Sequence, residues 1–218
     1  MGRLIVLCAI FLSVLSFPGN ATAIIYGEVW NTGALSSAAN PALGPPKDVQ
    51  PDGTFKDALP NATFTVNGDI NFAGNTPSLT FGQFLNSPLD WVSSSIKLDY
   101  LMFSKTSPVP DQGIFFRFTW SLDLPAGSSP VTITHDDGFF LQLSTGKTID
   151  QYTEKVGSPA EAKFDLTVPS DGTYVITLNY GALNDTDSHV LIFRTPEPGS
   201  MLLLALGIIG IGVLRRRH

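Results

Sequence analysis

The stretch Ile114-Phe115-Phe116-Arg117-Phe118-Thr119-Trp120-Ser121-Leu122-Asp123-Leu124 decides the fold. Its even positions are apolar throughout, and from Arg117 onward its odd positions are polar. A period of two places alternate side chains on opposite faces, so this is a half-buried antiparallel strand with Trp120 in phase with the core residues Phe116 and Phe118.

The same period recurs outward from it. Phe164, Leu166 and Val168 alternate with polar neighbours, and so do Tyr174, Ile176, Leu178 and Tyr180. Further strands are expected at 24–30, 63–66, 96–103, 131–135, 139–143 and 189–193, nine in all. Turn chemistry punctuates them at Pro125-Ala126-Gly127, Asp137-Gly138, Ser144-Thr145-Gly146 and Asp171-Gly172. Many short alternating strands with such punctuation indicate an all-β fold, a single antiparallel β-sandwich over residues 24–194. Residues 36–60, rich in Pro, Ala, Ser and Gly, read as a long loop, and 78–85 as a short helix.

Both termini have a different character. Arg3 precedes an apolar run over 4–17 broken only by Ser13 and Ser16, and Ala21-Thr22-Ala23 suits small-x-small cleavage, so 1–23 read as a signal peptide helix and the mature chain starts at Ile24. The single cysteine, Cys8, lies inside that apolar run. Too little apolar sequence precedes it for a lipoprotein signal, and the mature chain has no thiol, disulfide or cysteine metal site. At the other end, Pro196-Glu197-Pro198-Gly199-Ser200 leads into an uninterrupted apolar run over 201–214 and then Arg215-Arg216-Arg217. As a helix that run spans about 21 Å, short of the roughly 30 Å of bilayer hydrocarbon, which makes it a poor permanent anchor. The arginines place its end on the cytoplasmic side and everything before Pro196 outside.

Of 13 basic and 19 acidic residues, Arg3 and Arg215 to Arg217 lie in the terminal segments on the basic side and Glu197 on the acidic side. Residues 24–195 therefore carry 9 basic and 18 acidic side chains, a net charge of −9. Such a surface argues against nucleic acid and anionic lipid as partners and is compatible with calcium and neutral glycans.

The C-terminal segment, 195–218, closely resembles the PEP-CTERM signal of Gram-negative bacteria. That resemblance implies recognition at Pro196, Glu197, Pro198, Arg215, Arg216 and Arg217 by exosortase, a membrane protease/transpeptidase. It also implies export through the inner membrane with a transient anchor, followed by a surface or extracellular destination.

The order Phe118-Thr119-Trp120, Leu124-Pro125-Ala126-Gly127, Ile133-Thr134-His135-Asp136-Asp137-Gly138-Phe139-Phe140-Leu141 and Gly172-Thr173-Tyr174-Val175-Ile176-Thr177-Leu178-Asn179-Tyr180-Gly181 resembles the protective-antigen-type domain over 114–194. This β-sandwich occurs in the anthrax-toxin pore component, in fungal adhesins and beside glycosidase domains. In its sugar-binding branch, two adjacent aspartates joined by a cis peptide bond, with an asparagine from a later loop, hold calcium, and sugar hydroxyls complete the shell. The resemblance makes Asp136 and Asp137 the aspartate pair and Asn184 the loop residue, with Asp185 and Asp187 beside it. Ser144-Thr145-Gly146 stands where the family has a short Asp-Gly turn.

Calcium takes six to eight oxygen ligands, which two Asp-rich loops at neighbouring strand ends can supply; Asp136, Asp137, Asn184 and Asp187 are the candidate set. The same residues also make ordinary turns, because Asp-Gly is a common hairpin pair and Asn-Asp-Thr-Asp is ordinary loop composition. His135 and His189 could both approach the aspartates and make a zinc or catalytic site, but strand-end histidines read first as hydrogen-bonded surface residues. Among the tryptophans, Trp91 in a Ser-rich stretch is the better candidate for stacking on a sugar ring. No GxSxG, HExxH or phosphate-loop motif is present, and the expectation is a protein that is not an enzyme. Three readings stay open: an exported surface or matrix protein with a calcium-dependent glycan-binding sandwich, a structural matrix component with no small ligand, and a glycoside-active enzyme.

Overall fold

The computed structural model describes residues 24–31, 40–74, 78–102, 113–151, 160–182 and 188–194. The expected signal peptide (1–23) and sorting tail (195–218) lie outside them. Strand β1 (Ile24–Asn31) is followed by a 3₁₀ turn at Pro41–Leu43, by β2 (Lys47–Val49) and by β3 (Phe55–Asp57). Next come β4 (Ala62–Asn67), β5 (Asn71–Gly74), the single helical turn α1 (Phe81–Phe84) and β6 (Asp90–Ser93). The second half holds β7 (Ile114–Leu124), β8 (Gly127–Asp136), β9 (Phe139–Leu143), β10 (Thr148–Gln151), β11 (Ala160–Val168), β12 (Gly172–Ala182) and β13 (Ser188–Arg194).

These strands form a sandwich of two antiparallel sheets: seven strands in the order β10-β9-β12-β7-β1-β4-β6 and four in the order β11-β8-β13-β5. β2 and β3 make a separate hairpin. The deciding strand, β7, is central in the larger sheet, paired with β1 on one side and β12 on the other. Its inward residues Phe116, Phe118 and Trp120 are buried with Ile176, Leu178 and Tyr180 of β12 and Phe64 of β4. Across the gap they meet Phe72, Val131, Ile133 and Leu166. The centre of this core is aromatic: Phe72 stacks on Phe118 at 5.2 Å, and Phe84 tilts against Phe116 at 5.4 Å. Ring pairs at these spacings add to the area they bury.

Gly27 sits beneath one of those rings. A Cβ there would fall 2.1 Å from Cζ of Phe64, its cross-strand partner. Glycine is thus required by close approach, because the Phe64 ring is held between Trp91 at 5.8 Å and Phe118 at 6.0 Å.

Two expectations are corrected. Residues 96–102 do not form a strand, despite their apolar content. Their main chain serves the α1 turn instead: Leu98 and Tyr100 carbonyls accept from Gly82 and Phe81, and the Met102 N–H donates to Leu79. Ile96 and Met102 point inward while Tyr100 and Leu101 are exposed, which is a turn's pattern and not a strand's alternation. Residues 40–59, read as loop, contain the 3₁₀ turn and the β2–β3 hairpin, which cover the outer face of the larger sheet. Trp30 Nε1–H donates to the Ala58 carbonyl (2.9 Å), Asn179 Nδ2–H to Pro41 (3.2 Å), and Arg117 bridges Glu28 (2.6 Å) and Asp57 (3.5 Å) while lying 5.1 Å from the Trp30 ring.

The strand directions set the poles of the sandwich. Asn31, Ile114 and Ala182 align across one end of the larger sheet. In the smaller sheet Asp136 reaches that same end beside His189. Ile24 starts β1 at the opposite end, and Arg194 leaves β13 running towards it.

Candidate metal centre at the sheet-switching turn

The chain passes from the smaller sheet to the larger through Asp136-Asp137-Gly138, between the end of β8 and the start of β9. The Asp136–Asp137 peptide bond is cis. Both aspartates are buried, 4% and 3% exposed. Carboxylates held out of water beside each other are expensive unless charge or hydrogen bonding answers them.

Its surroundings are built from the core outward. His135 is buried at 3% exposure, packs edge-on against Phe139 at 4.9 Å, and donates from Nδ1 to the Asp137 carbonyl. The carbonyl can only accept, which assigns the proton to Nδ1. His135 is thus a core residue that braces the turn, where the sequence suggested a surface one. From β12 the Tyr180 hydroxyl donates to the Asp136 carbonyl, and the Gly181 N–H donates to Gly138 at 3.0 Å.

Asn184, Asp185 and Asp187 lie outside the described residues. The described strands on either side of them do reach the turn: Gly181 of β12 is bonded to Gly138, and His189 of β13 pairs with Asp136. The structure places Asp136 and Asp137 in one buried turn, with the end of β12 and the start of β13 beside it. Among the described residues no group of three His, Cys, Asp or Glu side chains could hold a metal. Pro196, Glu197, Pro198, Arg215, Arg216 and Arg217 also lie outside the described residues. Among the described residues no helix is long and apolar enough to cross a membrane.

Trp91 is not a free stacking platform. Its ring lies over Phe64 and 6.1 Å from Phe81, and its Nε1–H donates to Ile96 at 3.2 Å. Trp120 is core, as its phase indicates. Tyr180 is the residue whose part in the turn sequence reasoning missed. The available signal was chemical, since a tyrosine at a fully inward position needs a partner for its hydroxyl.

Residues 194–217 match the PEP-CTERM protein-sorting motif. No curated protein matches the chain. Among solved structures, the PA14 domain of the MpAFP antifreeze protein is similar with a TM-score of 0.50 and 18% identity, covering 83% of this chain and 84% of that one. A PA14 sugar-binding domain from an RTX adhesin gives a TM-score of 0.45 and 17% identity over 80% of this chain and 91% of that one. A GH31 α-xylosidase from Xanthomonas citri gives 0.43 and 8% over 83% of this chain but only 14% of its own length. The chain therefore combines a β-sandwich with the fold of PA14 domains and, over residues 194–217, a PEP-CTERM protein-sorting motif.

Proposed function

We propose that this is an exported surface protein, processed by exosortase at the Pro196-Glu197-Pro198 tail, whose sandwich is a non-enzymatic, calcium-dependent glycan-binding module. The sorting part rests on the motif, which implies export and delivery to the surface. In this reading residues 201–214 hold the chain transiently in the inner membrane, with Arg215, Arg216 and Arg217 on the cytoplasmic side.

The calcium part is carried by one observation: two adjacent carboxylates are buried at a turn adjoined by the end of β12 and the start of β13, the strands on either side of Asn184 and Asp187 in sequence. The donor set fits. Asp136, Asp137, Asn184 and Asp187 offer only oxygen, the chemistry calcium selects, and the imidazole beside them is turned to the main chain through Nδ1. An ion held there would be coordinated by carboxylate and amide oxygens, and sugar hydroxyls would complete its shell.

The test is calorimetric titration of the mature protein with calcium, followed by a glycan array in calcium and in excess chelator. Wild type should take up one calcium, melt at a higher temperature in millimolar calcium, and retain glycans only with calcium present; an ion at one hundred times its Kd adds about 2.7 kcal/mol of stability. Asp137→Asn should abolish most of the thermal rise. Identical melting in calcium and in chelator, with no heat of binding, would reduce the aspartates to turn residues and leave a structural matrix protein.

A further inference from the structure

A cleft of about 440 Å³ lies where β1 and β4 run out, against the segment that follows β6. Asn31, Asn61 and Ser95 form its polar side, and Phe81, Tyr100 and Leu101 its apolar side. None of the described residues lining it is charged, and the Lys97 ammonium lies 5.9 Å from the centroid of the Tyr100 ring.

The polar side is preset. Asn61 Oδ1 accepts from the Asn31 N–H (2.8 Å), and its Nδ2 donates to Ser95 Oγ (2.9 Å), so the amide orientation is fixed. Ser95 then has its own hydroxyl hydrogen to donate, and the exposed Asn31 amide both donates and accepts. Tyr100 is 46% exposed although its main chain is tied on both sides: its carbonyl accepts from Phe81 (3.2 Å), and its N–H donates to Lys97 (3.1 Å). Leu101 beside it is 44% exposed. A ring and an aliphatic side chain are thus held at the opening of a cleft whose other side offers amides and a hydroxyl.

We propose that this cleft binds a neutral saccharide of one or two rings without a metal ion. A cation would meet the Lys97 ammonium at the Tyr100 ring, an anion would find no charged side chain among the described lining residues, and a wholly apolar ligand would strand the Asn and Ser groups. A sugar presents flat C–H faces to Tyr100 and Leu101 and hydroxyls to Asn31 and Ser95, and the volume suits a small ligand. The cleft is separate from the calcium reading. Neither Asp136 nor Asp137 lines it, and the row Gly138, Gly181, Phe115, Trp30 puts three strand spacings, about 14 Å, between the turn and the end of β1.

The experiment titrates the full chain, in excess chelator, with cellobiose, maltose, lactose and laminaribiose. At least one should bind with a Kd on the order of millimolar. Tyr100→Ala and Asn31→Ala should each weaken it about tenfold, with the melting temperature unchanged because both side chains are exposed. Asp137→Asn should bind the same disaccharide as well as wild type does. The proposal is overturned if none of the four binds, if both cleft variants bind like wild type, or if Asp137→Asn abolishes binding. Disaccharide binding in chelator by a protein that takes up no calcium would sink the calcium reading and leave the cleft standing.

Discussion

The Tyr180 hydroxyl, inside the core, donates to the main-chain carbonyl of Asp136 at the point where the chain leaves one sheet for the other. The hydrogen bond ties β12 of the larger sheet to the last residue of β8 in the smaller one. Tyr180→Phe keeps the ring, with its packing on Phe84 and Phe116, and removes the hydroxyl that makes that tie. It should lower stability by about 1–2 kcal/mol in urea denaturation. An unchanged midpoint would show that the hydroxyl does not brace the turn.

Gly27→Ala tests how rigid the aromatic stack is. The new methyl collides with a Phe64 ring that Trp91 and Phe118 hold on either side. Overpacking of this kind should cost about 1–3 kcal/mol, read as a fall in the denaturation midpoint at constant slope. The double variant Gly27→Ala, Phe64→Leu should recover part of the loss, since the smaller side chain vacates the space; no recovery would place the strain elsewhere.

The Asp57 carboxyl is held below its ordinary value of 3.8, first by its hydrogen bond with Lys47 and then by the attraction of the Lys47 and Arg117 cations. A depressed folded-state value means that the stabilisation is present above about pH 4 and is lost as pH falls through that lower value. The stability difference between wild type and Asp57→Asn should therefore be present at about pH 6 and shrink as pH is lowered towards 3. Lys47 and Asp57 side chains are 44% and 40% exposed, so the difference should be small and smaller still in molar salt. A difference independent of pH would assign the effect of the substitution to packing.

In a host with exosortase, the exported protein should lose its C-terminus at or near residues 196–198, as its sorting motif leads one to expect. Intact-mass spectrometry reads this directly. Recovery of mature protein still ending at His218 from such a host would refute processing, and Glu197→Ala should give that uncut form.

The sequence made the fold legible where one side chain in two is inward. β7, β12 and the end of β11 show that alternation, and the sandwich follows from them. It hid what is short or one-sided. β2, with every residue exposed, and β5 and β6, four residues each, offer too few inward positions for a period to register. The apolar residues of 96–102 misled because two of them, Ile96 and Met102, go inward from a turn that hydrogen bonds to α1. At the candidate site the aspartate pair was named through the resemblance to the protective-antigen-type domain, since its own composition also fits an ordinary turn. The burial of His135 and the reach of Tyr180 were not, because both depend on the packing of one sheet over the other.

The poles of the sandwich give the molecule a direction. Ile24 and the exit through Arg194 are on the side away from the Asp136–Asp137 turn and the Asn31 cleft. From His189, beside the turn, to Arg194 the strand covers roughly 17 Å. Any attachment made through residues beyond Arg194 would hold the sandwich like a bloom on its stem, with the stalk leaving from the base and both candidate binding sites turned to the surroundings. Tethering and capture would then not compete for the same surface.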